Sequence, residues 1–188
     1  MFIRIIRASG LLMCAALLLG TSQCQKNVTN PLNFVTSLSV LDANGNPVSS
    51  FSRGQSITLQ LAVRNRSNGV QTLWFNTGEQ FNFVAVNAGT TNVVWTSDNG
   101  GGFAQAFTSL TFQPGQSQTF TVTWNQTDNL GQLISGGNYE VFGGLTVFNT
   151  TGAGSPADNA DAMAVGTPAV SQFTPSQYRS NLTEFSIQ

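Results

Sequence analysis

The side chains able to do chemistry in this 188-residue chain are few and scattered. There is no histidine, so neither a Ser-His-Asp nor a Cys-His nucleophile can be assembled, and a His-ligated zinc is excluded. The acidic residues Glu79, Asp98, Asp128, Glu140 and Glu184 fall in separate turns and strands. No spacing brings two of them to the ~5 or ~6.5–9.5 Å that glycoside hydrolysis requires. Acid/base catalysis is not expected, and the chain reads as a non-enzyme without a cofactor. Asp42-Ala-Asn44-Gly-Asn46 sets oxygen donors at alternate positions, as a calcium loop does, but the twelfth residue of that frame is Arg53 instead of a bidentate Glu. Asn-Gly ahead of Pro47 suits a hairpin turn better, so no metal site is expected. Asp158 and Asp161 read as solvated loop carboxylates.

What remains is contact chemistry. The segment Trp95 to Phe107 places two aromatics, Trp95 and Phe103, around a loop holding Ser97, Asp98, Asn99 and three successive glycines. Exposed aromatics beside adaptable polar groups are what a binding loop offers. Trp95, Ser97, Asp98, Phe103 and Gln105 are therefore the expected contact residues. The competing reading makes Trp95 and Phe103 core or corner residues packed between sheets. Trp74, Trp95 and Trp124 could instead stack on a sugar, although alternation puts Trp124 on a buried face and leaves Trp74 the freer of the set.

Such a loop must be carried by extended elements, because after residue 22 the hydrophobic period is two. In Ser56 to Asn65, Ile57, Leu59, Leu61 and Val63 alternate with polar or small residues; in Gln118 to Asn125, Phe120, Val122 and Trp124 alternate with threonines. Strict alternation buries one face of a strand and wets the other. Further strands are expected at 34–41, 70–76, 80–87, 92–96, 107–112, 139–148, 163–170 and 182–187. The Gly143-Gly144 pair suggests a bend or bulge in its strand. Turn signals separate them, and Pro114-Gly115 has the φ preferences of a type II turn. The spacing predicts an all-β, antiparallel β-sandwich over residues 34–188, with 149–161 as an extended loop and 171–181 crossing to a closing strand.

Charge and termini bound the partners. Only 8% of residues are charged, against roughly 25% in an average domain, while 40% are apolar. A core is available, and no basic stripe exists for nucleic acid. Arg4 and Arg7 precede the apolar run Leu11 to Leu19, which is short for a ~30 Å membrane span and reads as a signal peptide over residues 1–23. Two processing routes stay open: cleavage after Ser22, or lipidation of Cys24 as the first mature residue. The first releases the protein; the second anchors it in a bacterial cell envelope, the sole membrane contact expected. Residues 24–33 then form a tether. Cys24 is the single mature cysteine, so no internal disulfide can form. Five Asn-x-Ser/Thr sequons, Asn65 among them, read as incidental in so amide-rich a chain.

One ordered set of motifs carries a resemblance. Asn65-Arg-Ser67 follows an alternating strand; then come Phe75-Asn-Thr-Gly78-Glu-Gln-Phe81-Asn-Phe83-Val84, Val94-Trp95 and Phe103-Ala-Gln105-Ala106. Pro114-Gly115-Gln116-Ser117, Thr123-Trp124 and Gly136-Gly137-Asn138-Tyr139-Glu140-Val141 complete the series. Over roughly residues 64–145, within a core of 56–149, this pattern resembles the intracellular proteinase inhibitor (BsuPI) domain family. The resemblance implies an immunoglobulin-like sandwich, a proteinase-inhibitory role and a protease among its protein partners. A structural or adhesive envelope module is the alternative.

Overall fold

The computed structural model describes residues 33–99, 101–147, 149–150 and 178–188. The expected signal peptide, Cys24, the tether and a strand at 163–170 lie outside the described residues. Among those described, strands dominate and no α-helix occurs.

The two most regular alternating segments become neighbours. β1 (Phe34–Leu41) and β8 (Ser117–Trp124) flank β3 (Ile57–Asn65) in an antiparallel sheet, Leu61 facing Leu38 on one side and Phe120 on the other. Along β3, Ile57, Leu59, Leu61 and Val63 are fully buried, and the β8 threonines stand in solvent. Alternation set both faces as expected. A smaller sheet joins β4 (Gln71–Phe75) to β7 (Thr108–Phe112) and to β10 (Asn149–Thr150). Residues 149–150 therefore begin the expected loop as a short strand paired with Trp74 and Leu73.

The opposing layer has five strands in the order β2-β11-β9-β5-β6. It contains β5 (Phe81–Asn87), β6 (Val93–Thr96), β9 (Gly137–Leu145), β11 (Thr183–Ile187) and the two-residue β2 (Ser50–Phe51). The β2–β11 pair is parallel, so the sandwich is not wholly antiparallel. Side chains from all three sheets meet in one core, with Phe34 edge-on to Phe112 at 5.2 Å and Phe81 over Phe120 at 5.0 Å. Two stacked layers that bury their inner faces are what period-two segments require.

The glycine pair introduces no bulge into the β5–β9 ladder. Gly143 and Gly144 stay in register with Phe83 and Asn82, and the irregularity sits instead between Ala85 and Val86 of β5. Gly143 is small for packing reasons: a Cβ there would lie 2.8 Å from the Phe83 ring and 3.6 Å from Leu61 Cβ of the facing layer. Its N–H meets Ser180 Oγ at 3.1 Å and its carbonyl accepts from Ser180 N at 2.8 Å, seating the segment that leads to β11. Tyr178 in that segment is buried against Phe34.

Candidate functional site: the β6–β7 segment and its supports

Two of the motif segments that stood fifty residues apart form one unit. Asn65, fully buried at the end of β3, donates from Nδ2 toward Gly69 O (2.8 Å), Phe112 O and Gln113 O (3.2 Å each). Its Oδ1 accepts from Ser67 N at 2.9 Å and Ser67 Oγ at 2.7 Å. Its backbone carbonyl accepts from Gly115 N, and Gly115 adopts the positive φ (75°) that the Pro-Gly turn requires. Asn65-Arg-Ser67 and Pro114-Gly115 thus clamp two chain reversals together, a structural task for an amide with donors and acceptors on both ends. A sequon asparagine so enclosed is no glycan acceptor.

The expected contact residues divide. Trp95 is turned inward, 8% exposed, and its ring stacks on Trp124 at 5.0 Å and 18°, so it belongs to the core and not to a contact surface. Register explains this: Trp95 pairs with Ala85, an inner-face residue. Ser97 is half-buried and prolongs the β5–β6 ladder. Its N–H donates to Phe83 O, while Oγ accepts from Phe83 N (2.9 Å) and donates to Asn82 Oδ1 (2.8 Å). Ser97 is a splint for the segment that follows. Of the tryptophans offered for sugar stacking, Trp124 is buried with Trp95, and Trp74 is half-buried.

Phe103 and Gln105 do stand in solvent. From Gly101 to Phe107 every residue is exposed and none belongs to a strand. Phe103 is 39% exposed and Phe107, which the sequence reading did not single out, 61%. The segment is pinned near its middle, where Gly78 N donates to Ala104 O at 2.9 Å. At its base Gly101 N reaches Asp98 O at 2.6 Å, and a Cβ on Gly101 would sit 2.8 Å from that oxygen. The outcome is an exposed, aromatic-bearing stretch outside the strands, held at two points and turned at Gln105, where Ala106 N donates to Ala104 O at 2.9 Å. A second accessible feature, an open groove of about 560 Å³ beside Val93, Val94, Leu130 and Leu133, also escaped the sequence reading; Leu130 is 83% exposed there.

Two of the scattered acidic residues influence one another electrostatically. Asp98 lies across from Asn82 when the β5–β6 register, Val84 opposite Thr96, is continued through Ser97. Glu79, in the β4–β5 turn, is close enough to feel the Asp98 charge. Its carboxyl is pushed up to about 7, first by burial and then by Asp98, with the Asn82 amide acting in the opposite sense. Thr146 Oγ1 donates to Glu79 O at 2.7 Å and fixes that turn to the end of β9. By contrast, Asp42 behaves as the expected turn residue. Its Oδ1 accepts from Asn44 N and Asn46 N, and the Asn46 hydrogen bond chiefly holds its carboxyl below the ordinary value.

Fold and site together define a β-sandwich with an exposed, aromatic-bearing segment between β6 and β7. The comparisons place it further. The model of the family described as intracellular proteinase inhibitor (BsuPI) matches residues 40–149, more than half of the chain, and the chain belongs to that family. No curated protein matches the sequence. Among solved structures, a β-glucosidase from Listeria innocua in complex with glucose is 12% identical at TM-score 0.39, over 82% of this chain and 16% of that one. A CARDB domain from Pyrococcus furiosus in complex with di-metal ions is 7% identical at TM-score 0.37, over 82% of this chain and 87% of that one. The alkylpurine DNA glycosylase AlkC of Pseudomonas fluorescens is 10% identical at TM-score 0.40, over 81% and 30%. The chain spans about a sixth of the length of the β-glucosidases it matches.

Proposed function

We propose that this protein is an exported, non-enzymatic binding domain of the proteinase-inhibitor type, with an immunoglobulin-like sandwich presenting the Gly101–Phe107 segment to a protease. Family membership over residues 40–149 carries the reading, and the segment supplies a site with suitable properties. An inhibitory contact needs an extended stretch that enters a cleft without ordering at great entropic cost. Three successive glycines work against that, while the Ala104 pin and the Ser97 splint work for it. Phe103 and Phe107 supply apolar anchors, and Gln105 between them supplies an amide for backbone recognition.

The amino-terminal run supports export in a bacterial setting, with Cys24 as the point of lipid attachment to the envelope and residues 24–33 as the tether to a single domain at 34–188. Cys24→Ala should then move the protein from the membrane fraction to the soluble one; unchanged partition would end the anchor proposal. For inhibition, the purified mature protein at micromolar concentration is tested against a panel of serine and metalloproteinases. Slowing of at least one enzyme is expected. Uniform inactivity would contradict the inhibitor reading and favour a structural or adhesive envelope module.

A further inference from the structure

Every sheet edge among the described residues but one is short, interrupted or capped. β2 and β10 have two residues each. β6 has four, carries the irregularity in its ladder with β5, and its Thr96 N–H donates to Asn129 Oδ1 at 2.9 Å. On β1, Val40 O accepts from Val48 N at 3.1 Å, and Thr36 Oγ1 donates to Arg179 O at 2.7 Å. On β7, Thr111 O accepts from Gln118 Nε2 at 3.3 Å. β8 is the exception. It ends its sheet with β3 as its one neighbour, runs eight residues, and contains no charge, no proline and no break in register. Soluble proteins ordinarily blunt such an edge, because it templates strand pairing.

The register says which groups are bare. Asn65 N donates to Gln116 O at 2.9 Å, so the hydrogen-bonded pairs of the β3–β8 ladder continue at Val63–Gln118, Leu61–Phe120 and Leu59–Val122. The N–H and C=O groups of Thr119, Thr121 and Thr123 therefore point away from β3, and among the described residues nothing meets them. Their side chains stand in solvent, while Phe120 and Val122 between them are only half-buried at the margin of the core.

We propose that β8 pairs with β8 of a second copy of this chain about a two-fold axis through Thr121, joining two three-stranded sheets into one of six strands. In that antiparallel register Thr121 faces Thr121 and Thr119 faces Thr123, each pair exchanging two N–H···O=C bonds, about six in all. The strand is its own complement: threonine meets threonine on the outer face, and Phe120 meets Val122 on the inner one, both favourable cross-strand pairs. An arbitrary extended segment matches the backbone but not this alternation. The second copy also covers the flanks of Phe120 and Val122 that the sandwich leaves open, and an uncharged strand sets no repulsion at the axis. The pairing does not depend on what the Gly101–Phe107 segment binds.

The test is sedimentation equilibrium of the full mature protein, in reductant so that Cys24 cannot cross-link two copies. An edge pair is a small interface of the weak class, and loading from about 1 to about 300 μM should show a monomer–dimer equilibrium with a Kd of about 1–100 μM. Thr121→Lys sets like charges face to face on the axis and should raise that Kd at least about tenfold. Ser39→Lys, in the same row of the same face but two strands away, should leave it unchanged. Thr121→Pro deletes N–H groups that only the second copy uses and should abolish the dimer while the protein still folds, since proline is tolerated where an edge N–H faces outward. In a Cys24→Ser background, Thr121→Cys should cross-link on mild oxidation, because facing Cα atoms lie about 5.5 Å apart, whereas Thr58→Cys should not. A protein that stays monomeric throughout would overturn the self-pairing and leave β8 to an extended segment of another protein. A dimer untouched by Thr121→Lys, or cross-linking of Thr58→Cys as fast as of Thr121→Cys, would overturn it by placing the interface elsewhere.

Discussion

Replacing Trp124 by alanine is the sharpest test of how the layers are assembled. The side chain is 1% exposed, stacks on Trp95 at 5.0 Å, meets Phe185 edge-on at 6.1 Å and donates from Nε1 to Thr127 O at 2.7 Å. Truncating a buried Trp to Ala costs about 3–5 kcal/mol. The lost stack adds about 0.5–1.5 kcal/mol and the orphaned Thr127 carbonyl about 1 kcal/mol, partly overlapping with the first figure. The expected loss is about 4–5 kcal/mol, a large share of the ~5–15 kcal/mol that holds a typical domain together. Trp124→Phe keeps a ring against Trp95 and should cost about half as much. Urea unfolding followed by far-UV circular dichroism, extrapolated to water, gives each value. A double-mutant cycle with Trp95→Ala should return a coupling of about 0.5–1.5 kcal/mol. A Trp124→Ala loss below about 1 kcal/mol would show that β8 faces the other way and that the two tryptophans do not share a core.

Three further outcomes are expected. Asn65→Ala removes a buried amide that satisfies three carbonyls and a serine, and should lower stability by about 2–4 kcal/mol in the same urea assay, with Asn65→Asp little better because it cannot donate. Gly143→Ala forces a methyl against the Phe83 ring and should cost about 1–3 kcal/mol by thermal or urea melt, whereas alanine at Gly102, where a Cβ would meet nothing, should be close to neutral. The raised Glu79 carboxyl favours the protonated folded state, so its contribution is full below pH 4.5 and is lost as pH rises toward 7. After solvent screening of this half-exposed group, the fall should be about 1–2 kcal/mol between pH 4.5 and 7.5, and Glu79→Gln should flatten it.

Much of the scaffold was legible because period-two segments are long where they matter. β3 and β8 each run eight or nine residues, enough to fix phase and therefore which side is buried. Short elements were not. β2 is two residues whose pairing is parallel and with the distant β11, so nothing local announces it. β6 has four residues with Val93, Val94 and Trp95 in succession, a run that carries no phase; the assignment of Trp95 to the surface failed there, and only the register with Ala85 decides it. Glycines were read for conformational freedom at Gly143, where the governing fact was the absence of a Cβ beside Phe83. The interaction of Glu79 with Asp98 was invisible for a related reason. Glu79 and Asp98 are nineteen residues apart in different connections, and the electrostatic influence of one on the other depends on ladder register and on how the β4–β5 turn is fixed to the end of β9. That Phe103 and Gln105 stand in solvent was legible because glycine-rich segments between strands seldom bury large side chains.

The claim that the Gly101–Phe107 segment makes the inhibitory contact is tested most directly by the inhibition constant of a Phe103→Ala/Phe107→Ala double variant. It should be measured against the protease that the parent slows most, with both proteins shown to unfold at the same urea midpoint. Loss of two aromatic anchors at a binding surface should weaken inhibition by at least about tenfold, since anchors of this kind are each worth more than about 1 kcal/mol. An unchanged inhibition constant in a stably folded double variant would place the contact elsewhere and contradict the site.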